Sequence, residues 1–188
     1  MKKYLWTGIT AAAALCLLAG QRLRAADEES GANRGQFSKT DYKFACEAAR
    51  GGMMEVKAGQ LAQTQGYNLA VKQFGERMVT DHSKVNDQLK ALVSQKGAML
   101  PASLGHKDQR TLDALAKLSG KEFDRTYAAD MVKDHKEDIK AFQKEAESAD
   151  DPALRAFARN TVPILTQHLQ MAEQMKAAVD RENQTAGP

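Results

Sequence analysis

The chain has 188 residues, of which 43% are apolar, and it carries 27 basic and 24 acidic residues. This length supports one hydrophobic core and is too short for two separate domains. Four of the basic residues and none of the acidic ones lie in the first 25 positions, so the remainder has a net charge near −1. That charge gives no electrostatic case for binding nucleic acid or an anionic membrane surface.

The first 25 residues have the layout of a secretory signal peptide. Two lysines precede an apolar run from Leu5 to Ala19, and small residues follow near position 25. A run of about 15 residues falls short of the ~20 needed to span a bilayer. We therefore expect cleavage, a periplasmic location and no membrane span in the mature chain, with an uncleaved anchor as the alternative because of Arg22 and Arg24. Cys46 would then be the one remaining cysteine, and we expect it to be a buried, unpaired residue.

A single helical domain is expected over residues 38–183, after a flexible lead-in over 26–37 and before a disordered tail over 184–188. Apolar residues recur at helical spacing along four segments, and no segment has the sustained alternation of a strand. Each segment opens with a side chain that can accept hydrogen bonds from the first amides of a helix. These capping residues are Ser38, Asn68, Ser119 with Glu122 in a capping-box pattern, and Asp151, and the helices end near Gly66, Gly97, Ser148 and Val179.

Residues 97–119 interrupt the helical pattern and predict a long connection that contains a short helical piece near Leu112. His106 lies in this connection, where we expect it to be exposed. Pro163 is expected to bend the last helix because it lacks an amide hydrogen and crowds the preceding turn. The expected fold is all-α, with two helical hairpins joined by a long crossover.

One five-residue phrase occurs twice. Met78–His82 reads MVTDH, and 53 residues later Met131–His135 reads MVKDH. Both copies fall on long amphipathic segments, which suggests a doubled helical hairpin.

Each long helix carries one polar residue on its apolar stripe. A period of 3.6 residues places Glu55, His82, His135 and His168 between apolar neighbours, facing inward. At ~1.5 Å per residue, all four lie near the middle of two packed hairpins, within about one turn of each other. A dry core tolerates such groups when they form a closed hydrogen-bond network or bind a metal ion, because unpaired buried polar groups are costly.

Neighbouring residues leave further alternatives open. Asp81 and Asp134 fall on the flank of the stripe, either as surface charges or as carboxylates that orient a histidine across a helix interface. A mononuclear site would suit zinc, copper or iron. Methionines lie three or four residues from each histidine, which favours copper, although methionine is also an ordinary core residue.

The following residues carry a family resemblance: Glu55-Val56, Gly59, Leu61-Ala62, Phe74, Met78 to His82 with Asn86, Leu100-Pro101, Leu118-Ser119-Gly120, Phe123-Asp124, Met131 to His135, Pro163 and His168-Leu169. This pattern resembles the domain-of-unknown-function 4142 family and covers Phe44 to Ala178. The resemblance implies a ferritin-like four-helix bundle in exported bacterial proteins, with the histidines as signature positions and no established activity.

Ferritin-like di-iron proteins place a glutamate three residues before a histidine on two helices. The corresponding positions here are Val79, Val132 and Leu165. Oxygen-activating di-iron chemistry is therefore not expected, and no nucleophile or paired carboxylates suggest another catalytic use of the histidines.

We therefore expect a non-enzymatic, exported helical-bundle protein, with a role in stress tolerance, that binds a partner or one transition-metal ion through Glu55, His82, His135 and His168. The partner would be an envelope protein or a second copy of the chain. The alternative is a metal-dependent oxidase or peroxide-handling enzyme on a ferritin-like scaffold. A third hypothesis is a carrier of an apolar ligand in a cavity near the glycines of the first helix.

Overall fold

Five helices make up the secondary structure of the part of the chain that the computed structural model describes. That part is residues 33–185, apart from the side chains of residues 183 and 185, and it has no β-strand. The helices are α1 (Lys39–Gln65), α2 (Leu69–Gln95), α3 (His106–Leu115), α4 (Gly120–Ser148) and α5 (Pro152–Thr185). The expected signal peptide and most of the lead-in lie outside the described residues.

Side-chain caps begin three of the long helices, as the sequence predicts. The Ser38 hydroxyl accepts a hydrogen bond from the Asp41 amide, at 3.1 Å, at the start of α1. Before α2, the Asn68 side chain accepts from the Ala70 amide at 2.8 Å. The Asp151 carboxylate accepts from the first two amides that follow Pro152, at 2.8 and 2.9 Å. These bonds satisfy amides that have no partner within the helix.

The capping box predicted at the start of α4 is wrong. Ser119 occupies the N-cap position, but its side chain makes no capping hydrogen bond. The following residue, Gly120, has a φ of +61°. Because this left-handed conformation turns the chain at the helix entrance, the serine hydroxyl does not reach the amides of the first turn.

The long helices pair as two antiparallel hairpins, α1 with α2 and α4 with α5. The hairpins pack together with α1 beside α4 and α2 beside α5, and α3 lies against α1 and α4. An isolated bridge joins Gly66 at the end of α1 to Gly120 at the start of α4, so these two helices are antiparallel as well. The connection that contains α3 therefore returns along the length of the hairpins. None of the described helices combines the length and apolarity that a membrane span requires.

Two buried carboxylates lock the hairpins together at opposite ends. Asp124 of α4 accepts the amides of Tyr67 and Asn68, at 3.0 and 2.7 Å, in the α1–α2 loop. Asp41 of α1 accepts the amides of the two residues that precede Pro152, at 3.1 and 2.8 Å, in the α4–α5 loop. Each hairpin thus accepts hydrogen bonds from the loop amides of the other. These bonds set the positions of the helices relative to one another along their axes.

The repeated five-residue phrase does not mark equivalent positions of these hairpins. Met78–His82 lies on α2, the second helix of its hairpin, whereas Met131–His135 lies on α4, the first helix of the other. The reciprocal carboxylates do occupy equivalent positions, Asp41 on α1 and Asp124 on α4. The two predicted hairpins are present, but the repeated phrase does not occupy the same position in each of them.

Apolar side chains form two clusters, one toward each end of the helices. The larger cluster includes Phe74, Met78, Tyr127 and Met131, together with two leucines of α3. The smaller cluster includes Leu89, Phe142 and Phe157 and other side chains of the opposite end. Because both clusters draw on all four long helices, the layer between them is where the inward-facing polar residues lie.

Several single-residue expectations can be compared with the structure. His106 is exposed, as predicted, although it begins α3 instead of lying in a loop. The helix α5 continues past Pro163. Cys46 is unpaired but half-buried, not fully buried, because it lies one position beyond Ala45, about 100° away from the buried stripe of α1.

Helices α1 and α2 approach closely where Gly59 faces Gly75. A Cβ atom added to either glycine would lie 2.6 Å from the carbonyl oxygen of the other. Gly51, by contrast, has open space around the position of an added Cβ. The close contact therefore depends on the missing side chains at the first pair and not on every glycine of α1.

We predict that Gly59→Ala lowers the free energy of unfolding by about 1–3 kcal/mol, because two backbones have to separate. The matched variant Gly51→Ala is expected to raise it by about 0.5–1 kcal/mol through helix propensity. Urea unfolding followed by circular dichroism measures both values. Equal effects of the two substitutions would contradict the close approach.

Glu145 provides a test of pH dependence away from the centre of the molecule. Burial, and then the neighbouring Asp41 carboxylate, raise the pKa of Glu145 to about 7 from an ordinary 4.5. The folded protein therefore holds a proton that the unfolded chain releases above pH 4.5, and this residue destabilises the fold increasingly as the pH rises toward 7.

The variant Glu145→Gln should remove this pH-dependent penalty. We expect it to be more stable than the parent at pH 8, by at least about 1 kcal/mol, and to gain much less at pH 4.5. Glu147→Gln, an exposed residue of the same helix, is the control. Unfolding at several pH values measures the difference, and a gain that is equal at both pH values would overturn the assignment.

Candidate metal centre

The four polar residues predicted to face inward all lie in the layer between the two apolar clusters. Each comes from a different long helix: Glu55 from α1, His82 from α2, His135 from α4 and His168 from α5. Their exposed fractions are 0%, 5%, 0% and 1%. On every helix, the polar residue is flanked by members of the larger cluster on one side and of the smaller cluster on the other. Helical periodicity therefore predicted their direction and their common height correctly.

The three histidines form a compact triangle. Their ring centroids are separated by 5.8 Å between His82 and His135, 5.3 Å between His82 and His168, and 5.5 Å between His135 and His168. One nitrogen can be selected from each ring so that the three nitrogens all lie within 4.8 Å of one another. We call these three residues the histidine triad.

Hydrogen bonds on the outer side of the triad orient two of the rings. The Nε2 atom of His168 lies 2.9 Å from the carboxylate of Asp81, which also accepts a hydrogen bond from Arg77. The Nδ1 atom of His135 lies 2.9 Å from the carbonyl oxygen of Met131. Because both partners are acceptors, these nitrogens carry the ring protons, and the opposite nitrogens carry lone pairs.

One buried nitrogen of each ring has no hydrogen-bond partner among the described residues. These nitrogens are Nε2 of His82, Nε2 of His135 and Nδ1 of His168. The rings therefore do not form the closed hydrogen-bond network that the sequence left open as an alternative. Each unpartnered buried group of this kind costs about 1–3 kcal/mol when nothing binds to it.

Glu55 lies beside the triad and is not part of it. Its Oε1 atom is 4.0 Å from Nδ1 of His135, the nitrogen that donates to the carbonyl of Met131. Neither carboxyl oxygen has a hydrogen-bond donor. Burial, and then the charge of Asp134, hold the pKa of Glu55 well above its usual range. This shift favours the protonated form of Glu55 when no cation is close.

The two aspartates of the repeated phrase have different environments. Asp81 orients His168 across the α2–α5 interface, which was one of the two roles predicted for it. Burial opposes ionisation of Asp81, but the hydrogen bonds from His168 and Arg77 outweigh it and lower the pKa of the carboxyl. Asp134 is half-buried, and its charge acts on both Glu55 and His135. The role of orienting a histidine is therefore confirmed for Asp81, and for Asp134 it stays a prediction.

Burial keeps the triad neutral. It lowers the pKa of His82 to about 3, with a further contribution from His168, and the pKa of His135 to about 4, against the hydrogen bond to Met131. The pKa of His168 is also lowered by burial, although Asp81 opposes this effect. Near pH 7 each ring is therefore neutral and has one unprotonated nitrogen, which is Nε2 for His135 and Nδ1 for His168.

One residue near the site was not singled out in the sequence. Tyr127 lies on the stripe of α4, two turns before His135, and its hydroxyl is buried without a hydrogen-bond partner. Burial, and then the charge of Glu55, raise its pKa well above the usual range. Its position on the stripe does not distinguish it from other core residues in the sequence. Periodicity gives no information about the hydrogen-bond partner of a buried hydroxyl.

Methionines near the triad belong to the apolar packing. Met78 and Met131 are buried members of the larger cluster, and Met171 packs against it. The donor set that the structure assembles is thus three neutral imidazoles with an adjacent carboxyl group, a set that suits zinc, copper or iron.

Comparison with curated proteins and with solved structures found no similar protein. A family described as "Domain of unknown function (DUF4142)" matches residues 26–175, most of the chain and all four residues of the polar layer. The resemblance noted in the sequence is thereby confirmed, and the chain belongs to the DUF4142 family.

Proposed function

We propose that this protein binds one transition-metal ion through His82, His135 and His168. The observation that carries the proposal is the clustering of three buried imidazole rings, from which one nitrogen each can be chosen within 4.8 Å of the others, and each of which has a buried nitrogen without a hydrogen-bond partner among the described residues. A metal ion would satisfy all three nitrogens at once. Rings that served structure alone would be expected to satisfy each other by hydrogen bonds.

The spacing of the triad is compatible with this role. Metal–imidazole bonds of about 2.0–2.1 Å place two ligand nitrogens about 3.4 Å apart in a tetrahedral site. The nitrogens of the triad lie within 4.8 Å of each other. Each has to move by about 1 Å or less to reach bonding distance, a movement that side-chain rotation supplies without a change in the helices.

Glu55 would balance the charge of the ion. Three neutral imidazoles leave a divalent cation uncompensated in a dry core, and a cation beside Glu55 would favour loss of its proton. Asp81 contributes from the other side, because a carboxylate on the outer nitrogen raises the basicity of the ligating nitrogen. Affinity for such nitrogen sites rises from Fe²⁺ to Cu²⁺ and falls again at Zn²⁺.

We propose the same scaffold and location that the sequence predicts. On this proposal the four long helices form a ferritin-like bundle, with α3 as an addition to the crossover, and the pairing of antiparallel hairpins supports it. The N-terminal layout supports export to the periplasm. A bridged di-iron centre is not favoured, because the positions three residues before the histidines are Val79, Val132 and Leu165. We therefore propose metal binding without oxidase chemistry.

Metal analysis of the purified protein tests the proposal. We expect one ion per chain after loading with zinc or copper and removal of excess, and loss of that ion in the double variant His82→Ala, His135→Ala. His106→Ala, which changes an exposed histidine of α3, is the matched control and should keep the ion. Circular dichroism checks that each variant is folded, and His135→Gln replaces the double variant if that one is not.

Two results would contradict the proposal. One is a parent protein that retains no metal under saturating conditions. The other is a folded double variant that retains as much metal as the parent, which would place the ion elsewhere.

The role of Asp81 gives a second prediction. Asp81→Asn removes the charge that orients His168, and we expect metal affinity to fall by about 10–100-fold. Asp87→Asn, at an exposed position of the same helix, should leave affinity unchanged. Competition titration against a chromophoric chelator measures both, and equal affinities for the two variants would remove Asp81 from the site.

A further inference from the structure

A small cavity lies against one side of the histidine triad. Its volume is about 20 Å³, and the rings of His82 and His168 form part of its wall. That volume exceeds the roughly 10–15 Å³ that one water molecule needs, so the space can hold a very small molecule. It is too small for the apolar ligand that the sequence left open as a third hypothesis, although Gly52 of α1 does line it.

The cavity exists because small residues face it from α1. Ala48 and Gly52 contribute almost no side-chain volume there. The side chain of Asn86 occupies the space beside Gly52, where an added Cβ would meet the asparagine oxygen at 2.0 Å. Larger residues of α1 would fill the space, so its presence depends on these two positions.

Most of the remaining wall is apolar. Phe142, Phe157 and Leu165 close the side away from the triad. The polar groups besides the histidines are Asn86, Asp138 and Thr161, and the hydroxyl of Thr161 donates to the carbonyl of Phe157 at 2.8 Å. The threonine oxygen therefore has lone pairs that can accept a hydrogen bond from a molecule in the cavity.

The coordination of a bound ion would be incomplete on this side. Three protein ligands leave a fourth tetrahedral position open, as in metal sites that take an exogenous ligand. Glu55 lies beside the outer nitrogen of His135 and does not line the cavity. The rings of His82 and His168 themselves line the cavity, so it adjoins the side of the triad that these two rings form.

We propose that this cavity admits a small exogenous ligand of two or three heavy atoms, such as azide or dioxygen, to the open position of the metal ion. The inference rests on the proposed function, since the ligand binds to the ion held by the triad. Larger molecules are excluded by the aromatic and aliphatic wall. The site thus takes a ligand and is not a closed structural centre.

Azide binding to the cobalt-loaded protein tests the inference. Cobalt(II) replaces the native ion and reports its coordination through visible absorption. Azide is expected to change the spectrum in a saturable way, whereas benzoate, which is too large for the cavity, should not. The change shows that an anion enters the coordination sphere.

A variant with a filled cavity tests whether azide reaches the metal ion through this cavity. Ala48→Val adds two methyl groups to the wall and should weaken azide binding by about tenfold or more, with cobalt binding unchanged. Ala91→Val, an exposed position of α2, is the control. If Ala48→Val does not fold, Val85→Ile adds one methylene to the same cavity and takes its place.

The outcomes separate this inference from the proposed function. A parent that binds no cobalt overturns both. Cobalt binding without a spectral response to azide overturns the inference alone. An unchanged azide response in the Ala48→Val variant, when that variant is folded and binds cobalt, also overturns it. A benzoate response equal to that of azide would also overturn it, because it would show an open site.

Discussion

The structure depends on a buried polar layer that divides its apolar core in two. Glu55 and the histidine triad come from four different helices. They lie close together because the packing of these helices places all four residues at the same level along the helix axes. A shift of one helix by a single turn, about 5.4 Å, would replace a histidine by an apolar neighbour. The layer therefore requires a fixed register between the hairpins, which apolar packing specifies only weakly.

That register is supplied at the ends of the molecule. Asp41 binds the amides of the α4–α5 loop, and Asp124 binds those of the α1–α2 loop, so each hairpin is anchored to the turn of the other. Charged acceptors on backbone amides are strong and directional bonds. The close approach at Gly59 fixes α1 against α2 in the same way within one hairpin. Together these contacts hold the histidines within one layer.

Much of this architecture was predictable from the sequence, for reasons that are local. Ser38, Asn68 and Asp151 cap their own helices, and the direction of His82 follows from the residues one turn away. The partners of Asp81 and Asp124 were not predictable, because each binds a residue more than 50 positions away. A position on the flank of the apolar stripe shows which face of its own helix a residue occupies. It does not show which other helix packs against that face. Ser119 failed as a cap because the conformation of Gly120 was not apparent in the pattern.

The energetics of the layer favour a bound ligand over a purely structural role. Well-packed apolar residues of similar volume would be at least as stabilising as buried polar groups, and they would join the two clusters into one core. The orientation of the rings argues further in this direction. Asp81 and the carbonyl of Met131 hold the protons of two rings, so Nδ1 of His168 and Nε2 of His135 keep lone pairs that no described residue uses, and Nε2 of His82 is unpartnered as well. Lone pairs that are brought close together in a core repel one another, and a cation between them turns that repulsion into attraction.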